Sequence, residues 1–178
     1  ISEQIYHWGD AITVPEEPTK ASDNTYRYVF AGWGSEVVPC AGDAVYQAAF
    51  TPEYIDYTVK FQDADGNVIS EQTYHWGDAI TVPENPTKPA DNTFTYTFAG
   101  WDKEIAGTCN GDATYAATYE STYIEYTVIF QLPDGTVLQQ TVLHYGDAVV
   151  APEDPAAPED YWFKGWDSEV TECRGNVT

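Results

Sequence analysis

Three histidines, His7, His75 and His144, stand in one recurring motif, in which His is followed by an aromatic residue, Gly and Asp. The motif lies in three similar segments, residues 6–16, 74–84 and 143–153. His and Asp serve as acids, bases and metal ligands, but a zinc site or a catalytic triad needs several such groups at one place. One His per segment predicts a packing or recognition role. We therefore expect no catalytic residue, no metal, no cofactor and no enzyme activity.

The cysteines Cys40, Cys109 and Cys173 also occupy one position per copy, so a disulfide within a copy is excluded. A disulfide needs Cα atoms within about 7 Å, whereas compact units of this size measure roughly 30 Å across. We interpret the three thiols as small apolar side chains that fill space in a loop. The alternative is a thiol that links neighbouring chains.

The acidic segment Asp63-Ala-Asp-Gly-Asn67 has some features of a calcium-binding loop. An EF-hand loop needs Gly at its sixth position and an acidic residue at its twelfth. These two positions hold Val68 and Tyr74. The segment therefore predicts a hairpin turn, with weak surface calcium binding as the alternative.

Aromatic residues at fixed positions are the remaining candidates for binding. Trp8, Trp76 and Tyr145 each follow the recurring His, and an exposed ring there, together with His75, would bind a glycan or a protein surface. A second aromatic position follows Gly in every copy, and we expect it to anchor the core. These structural anchors are Gly32 with Trp33, Gly100 with Trp101, and Gly165 with Trp166.

The elements that position these residues are predicted to be short strands. In the second copy, apolar and polar residues alternate over 57–62 and again over 94–98, which is typical of half-buried strands. A strand at about 68–76 follows the Gly66 turn, and another is predicted at 114–119. No segment has a convincing helical pattern. The sequence predicts a mainly β fold of small β-grasp-like units, each a four-stranded mixed or antiparallel sheet.

The copies repeat at a spacing of 69 residues between Cys40 and Cys109. We predict three repeat domains: residues 1–53 without the first strand, 54–122 complete, and 123–178 without the last strand. The joints at 51–57 and 120–126 contain no Gly and only one Ser, unlike flexible linkers. We expect strand to run into strand there, with Tyr54 and Tyr123 packed at the boundary, in an elongated array. The chain reads as part of a longer repetitive protein, and its open strand edges predict end-to-end self-association.

Negative charge is spread over the whole chain, which has 29 acidic and 7 basic residues and a net charge of −22. Nucleic acid is excluded as a partner, because its binding needs Lys and Arg on the phosphates. The charge also disfavours anionic membrane surfaces and heparin-like glycans. No run of 18 apolar residues occurs, so direct membrane insertion is not expected.

The assembled motifs resemble the internalin B-repeat, also called the Listeria–Bacteroides repeat. The residues that carry the resemblance are Tyr57-Thr-Val-Lys-Phe61, Gly66, His75-Trp-Gly77, Pro83-Glu-Asn-Pro86 and Phe98-Ala-Gly-Trp101. The resemblance implies tandem β-grasp-like units on extracellular, often adhesive, surface proteins of Gram-positive bacteria. Nothing catalytic is implied, because the shared motif is structural.

Two functions fit these expectations. The first is a non-enzymatic stalk or spacer on the bacterial cell surface, in which length grows with the number of copies. The second is an adhesin whose repeated aromatic positions bind a glycan or protein of a host or neighbouring cell, with avidity from the tandem copies.

Overall fold

Eight β-strands form the regular structure in the computed structural model, which describes residues 3–157, 159–160, 162–169 and 171–178. Within these ranges there is no helix, and hence none long and apolar enough to cross a membrane. The predicted mainly β fold is confirmed. The strands are β1 (Tyr26–Trp33), β2 (Ala48–Tyr54), β3 (Tyr57–Gln62), β4 (Val68–Tyr74), β5 (Phe94–Trp101), β6 (Ala113–Tyr123), β7 (Tyr126–Gln131) and β8 (Val137–Leu143).

The strands form three sheets. The second copy has a four-stranded sheet in the order β4-β3-β6-β5, so its first and fourth strands are the central neighbours. The first copy contributes the antiparallel pair β1-β2, and the third copy the antiparallel pair β7-β8. The four strands predicted for the second copy are therefore present. The last of them is longer than predicted and continues to Tyr123.

The residues pack as two compact units. The first comprises residues 1–62, 68–83 and 103–115, and the second comprises residues 63–67, 84–102 and 116–178. The repeat limits predicted at residues 53 and 122 stay a prediction.

The core of the first unit lies on the inward face of β3. Val59 and Phe61 are each 1% exposed, and the ring of Phe61 stacks on Tyr115 with 5.1 Å between centroids. The intervening Lys60 points outward and pairs with Glu71 on β4 at 3.2 Å. Burial of one such side chain stabilises a fold by about 1.5–3 kcal/mol. The alternation of the sequence thus places the apolar side chains on one face.

In the second unit Val128 and Cys173 are buried, and the same unit contains two edge-on aromatic pairs. Trp101 contacts Phe98 edge-on at 5.5 Å between centroids, and Trp166 contacts Phe163 in the same way at 5.2 Å. Trp33 of the first unit repeats this contact with Phe30 at 5.5 Å. All three predicted Trp anchors are half-buried, so each covers the edge of a core without lying at its centre.

The Gly before each of these Trp residues has a backbone reason. Gly32, Gly100 and Gly165 have φ of +108°, +129° and +129°, a region that side chains with a Cβ rarely adopt. In β1 and β5 this residue coincides with a shift of the strand register, at Phe30/Gly32 and Phe98/Gly100. The bulge turns Trp33 and Trp101 back over the preceding Phe.

Aspartate turns start β1 and β5. The Asp91 carboxylate accepts hydrogen bonds from the backbone amides of Thr93 and Phe94, both at 2.7 Å, and from the hydroxyl of Tyr96. The hydroxyl of Tyr96 and the two amides hold the pKa of Asp91 below its usual value, and the same contact raises the pKa of Tyr96. Asp23 has an equivalent set of partners, and its pKa is also lowered.

We predict that Asp91→Asn lowers stability near neutral pH and has little effect in acid. The folded pKa of Asp91 lies below its unfolded value of about 3.9, so the carboxylate stabilises the fold above that pH. This contribution is lost as the pH falls through the folded pKa. Urea unfolding at pH 7 and at pH 2–3 measures both states. Glu104→Gln, which removes one charge from an exposed loop, is the control. An Asp91→Asn penalty that is equal at both pH values contradicts the prediction.

Candidate functional site

The recurring His-aromatic-Gly-Asp motif folds as a tight turn. In the second copy the Asp78 amide donates to the His75 carbonyl at 3.1 Å, and the His75 amide donates to the Asp78 carboxylate at 2.8 Å. Gly77 has φ of +88°, which the third position of a type II turn requires. The same two hydrogen bonds recur in the turns at 7–10 and 144–147. Gly and Asp in the motif are therefore explained by the turn.

A cysteine closes each turn from a distant part of the copy. The Gly77 amide donates to the Cys109 carbonyl, and the Cys109 amide donates to the Asp78 carbonyl, both at 2.8 Å. Cys109 is 1% exposed, and its Sγ lies 3.7 Å from the Gly111 carbonyl oxygen. Cys40 and Cys173 form the same pair of backbone hydrogen bonds with their own turns. All three thiols are free; Cys173 is fully buried and Cys40 is half-buried. These contacts favour the filler interpretation of the thiols.

The joint between the first and second copies contains only two residues between strands, since β2 ends at Tyr54 and β3 begins at Tyr57. The Ile55 amide donates to the Thr25 carbonyl at 2.9 Å, and the Tyr57 hydroxyl donates to the Asn24 carbonyl at 2.8 Å. Both acceptors belong to the turn before β1. The start of the second copy is thereby bonded to a loop of the first.

Aromatic rings cover the same joint. The ring of Tyr54 lies 4.8 Å from that of Tyr26 and 4.4 Å from the imidazole of His75, measured between centroids. Tyr57 meets Trp76 edge-on at 6.1 Å. The predicted packing of Tyr54 at the boundary is confirmed. Tyr54 links the first copy's strand pair to the second copy's turn.

The joint between the second and third copies repeats this arrangement. The Ile124 amide donates to the Thr93 carbonyl at 2.8 Å, and the Tyr126 hydroxyl donates to the Asn92 carbonyl at 2.9 Å. The ring of Tyr123 lies 4.5 Å from His144, as predicted for this residue. Because the same contacts occur at both joints, the connection between copies is a defined structure encoded in the repeat.

Charged groups flank the joint histidine. His75 Nε2 lies 3.3 Å from Asp56 Oδ1, and His75 Nδ1 lies 3.6 Å from Asp78 Oδ2. The His75 side chain is 42% exposed, and ion pairs of such exposure contribute little to stability. Among the residues with described positions, no group of three His, Cys, Asp or Glu is arranged to hold a metal ion.

The predicted recognition residues are divided between the copies. Trp8 stands at the apex of the first turn with 81% of its surface exposed, and Trp76 stands at the apex of the second with 38% exposed. Tyr145 occupies the third apex, half-buried, with its ring 6.5 Å from Tyr126. The structure thus brings Trp76 to Tyr57, His75 to Tyr54, and Tyr145 to Tyr126. An exposed ring at a turn apex can stack on a sugar or an apolar side chain.

Sequence reasoning missed the polar partners of the joints. The backbone carbonyl groups of Asn24 and Asn92 cannot be recognised as acceptors from the sequence, because every residue carries a backbone carbonyl. Asp112 and Asn176 were also missed; their side chains accept the amides of Thr58 and Thr127 at 2.7 and 2.8 Å. Asp112 lies three positions after Cys109, and Asn176 lies three positions after Cys173. This shared spacing in two copies was the signal that could have identified them.

The family model of the Listeria-Bacteroides repeat domain matches residues 57–122 and 126–174. The chain therefore belongs to this repeat family, which confirms the resemblance. No solved structure matches it significantly.

Two relatives come from Evansella cellulosilytica. The chain is 28% identical to a protein named "Putative Gly-rich membrane protein", over 91% of this chain and 20% of the relative. It is 29% identical to a "Putative membrane protein", over 62% of this chain and 17% of the relative. The chain thus spans no more than a fifth of the length of these relatives.

We predict that Cys40 reacts with a thiol reagent at least about tenfold faster than Cys109 and Cys173, because reaction of a buried thiol waits for local opening. Mass spectrometry of the native chain after timed alkylation measures the order of modification. Cys40→Ser should abolish the fast reaction and leave the slow ones unchanged. Equal rates at all three thiols in the native chain would contradict the burial described above.

Proposed function

We propose that the chain is a non-enzymatic spacer module of a bacterial cell-surface protein, in which tandem copies hold other parts of that protein away from the cell envelope. The observation that carries the proposal is the recurrence of one joint at both copy boundaries. A joint that serves only as a tether needs no repeated hydrogen bonds. The names of the two Evansella relatives, both described as membrane proteins, support a place in the cell envelope.

The joint resists bending through several weak contacts that act together. Two backbone-directed hydrogen bonds, from Ile55 and Tyr57, join the copies, and each contributes about 0.5–1.5 kcal/mol. Tyr54 adds ring contacts on both of its sides. A Gly- and Ser-rich connection of two residues would provide none of these contacts. The sequence between β2 and β3 therefore favours a fixed angle over free rotation.

The net charge of −22 supports the same function. Like charges on every copy repel one another, which keeps a tandem array soluble and opposes collapse of one copy on another. The repulsion is screened beyond about 8 Å at physiological ionic strength. The electrostatic repulsion therefore acts between neighbouring copies, and the contacts at each joint determine its stiffness.

We predict that the first and second copies tumble as one body in solution and that a loosened joint separates their motion. Amide ¹⁵N relaxation gives a rotational correlation time for each copy. Insertion of Gly-Ser-Gly between Ile55 and Asp56 should shorten both times and make them differ. Tyr57→Phe, which removes only the bond to Asn24, should act more weakly in the same direction and cost about 0.5–1.5 kcal/mol. Equal relaxation of the native and inserted chains would refute a stiff joint.

A multivalent adhesin is the second candidate, and the position of Trp76 at a turn apex, with 38% of its surface exposed, favours it. Glycan and host-protein arrays probed with the full chain test this function. Saturable binding that is lost in Trp8→Ala and Trp76→Ala would replace the spacer by the adhesin. Binding that survives both substitutions would exclude these two residues as its site.

A further inference from the structure

The strand β8 is an edge strand that contains no charged residue. Its sequence is Val-Leu-Gln-Gln-Thr-Val-Leu, and it pairs with β7 along one edge. Leu138 and Val142 are 39% and 54% exposed, and Gln140 between them is also exposed. An exposed edge strand with apolar, uncharged side chains is a template for pairing with another strand. Because the chain has a net charge of −22, β8 is a place where two copies can approach without opposing charges on the strand.

The second copy shows that this edge is open in a complete repeat. The equivalent strand there is β4, which is the outermost strand in the order β4-β3-β6-β5. The fourth strand of that copy, β6, lies on the other side of β3 and does not reach the edge. The second copy has a neighbouring copy at each of its ends, and still no strand within the described residues pairs with the outer edge of β4. The open outer edge of β8 is therefore a property of the repeat.

The backbone groups of β8 that face this edge follow from its pairing with β7. The Ile129 amide and the Thr127 carbonyl both bond to Val177, so these two residues of β7 point away from β8. Gln140 lies opposite Ile129, and Val142 lies opposite Thr127. In an antiparallel pair, residues that exchange hydrogen bonds alternate with residues that do not. The amides and carbonyls at 138, 140 and 142 therefore point to the outer edge.

The second copy carries a charge at the centre of this edge, and the third copy does not. Glu71 stands in the middle of β4 and pairs with Lys60 of β3 at 3.2 Å. In the third copy the equivalent opposed residues are Gln140 and Ile129. A charge on an edge strand opposes pairing, because like charges directly opposite each other are destabilising. The third copy lacks this protection.

We propose that β8 is a homotypic association edge, through which two copies of this chain pair in antiparallel orientation about a two-fold axis at Gln140. In this register Leu138 of one chain lies opposite Val142 of the other, and Gln140 lies opposite its own counterpart. Each of the three opposed pairs exchanges two backbone hydrogen bonds. Because the contact is self-complementary, association stops at two chains.

The order of the outward side chains favours a second copy as the occupant. Leu138, Gln140 and Val142 read as apolar, amide and apolar from either direction, so each group meets its own kind across the two-fold axis. A basic partner is attracted by the net charge, but β8 offers it no carboxylate. Two chains of charge −22 repel each other, so we expect weak pairing that strengthens as salt screens the repulsion.

Sedimentation equilibrium of the full chain up to millimolar concentration tests the association. We expect a monomer–dimer equilibrium that shifts toward the dimer in about 1 M NaCl, where the screening length is about 3 Å. Gln140→Glu restores the charge that β4 carries, and it should raise the dissociation constant at least about tenfold, because two like charges then lie opposite each other. Asn110→Asp adds the same charge in an exposed loop of the second copy and is the matched control.

A cysteine at the two-fold axis tests the register. In the proposed dimer the two Cα atoms of residue 140 lie about 5.5 Å apart, which is within the range of a disulfide. Gln140→Cys, in a chain that also carries Cys40→Ser, should therefore form a cross-linked dimer under mild oxidation. Leu138→Cys in the same background is the control, because it lies about 13 Å along the strand from its own counterpart. It should cross-link at least about tenfold more slowly.

Several results would overturn the proposal. A chain that stays monomeric at millimolar concentration in high salt has no association edge. Dimers that Gln140→Glu weakens no more than Asn110→Asp does would use another surface. Equal cross-linking of Gln140→Cys and Leu138→Cys would contradict the register. Oligomers that grow beyond two chains would show that β8 pairs with a different strand of the second copy.

Discussion

The two-residue connection between the last strand of one copy and the first strand of the next constrains the rest of the structure. β6 cannot end at the border of its own sheet, because it must deliver Ile124 and Tyr126 to acceptors in the turn before β5. It therefore runs for eleven residues to Tyr123. The turn at 144–147 must then lie where Tyr123 can reach His144. One short connection thus determines the length of a strand and the position of a distant turn.

Weak interactions dominate this arrangement. Among the described residues few side chains are buried, and these come from the first, second and fourth strands of a copy and from the cysteine loop. Small sheets have little interior, so each copy depends on paired backbone bonds at the turn and at the joint. The two bonds that Cys109 makes with Gly77 and Asp78 connect parts of the copy that are far apart in sequence. A copy and its joints therefore stabilise one another.

Local patterns predicted much of the fold. Alternation identified β3 and β5, Gly66 identified the hairpin, and the absence of Gly at the joints indicated direct passage from strand to strand. Non-local features could not be predicted in the same way. The half-burial of Trp33 and Trp101 depends on bulges that pattern alone does not reveal, and the carbonyl acceptors at Asn24 and Asn92 leave no mark in the sequence. The partial cover of Trp76 depends on Tyr57, which only the folded chain brings close.

The bond between Asp112 and Thr58 closes a loop of 54 residues, and the bond between Asn176 and Thr127 closes one of 49. Contacts over such separations form late, because loop closure costs entropy before any contact repays it. During that delay a newly made fourth strand can meet the first strand of the wrong copy, and nearly identical neighbours make this error common in tandem proteins. The third copy differs from the second at many positions, including Asn176 in place of Asp112 and Ile129 in place of Lys60. Divergence between adjacent copies therefore favours correct pairing while the chain is being synthesised.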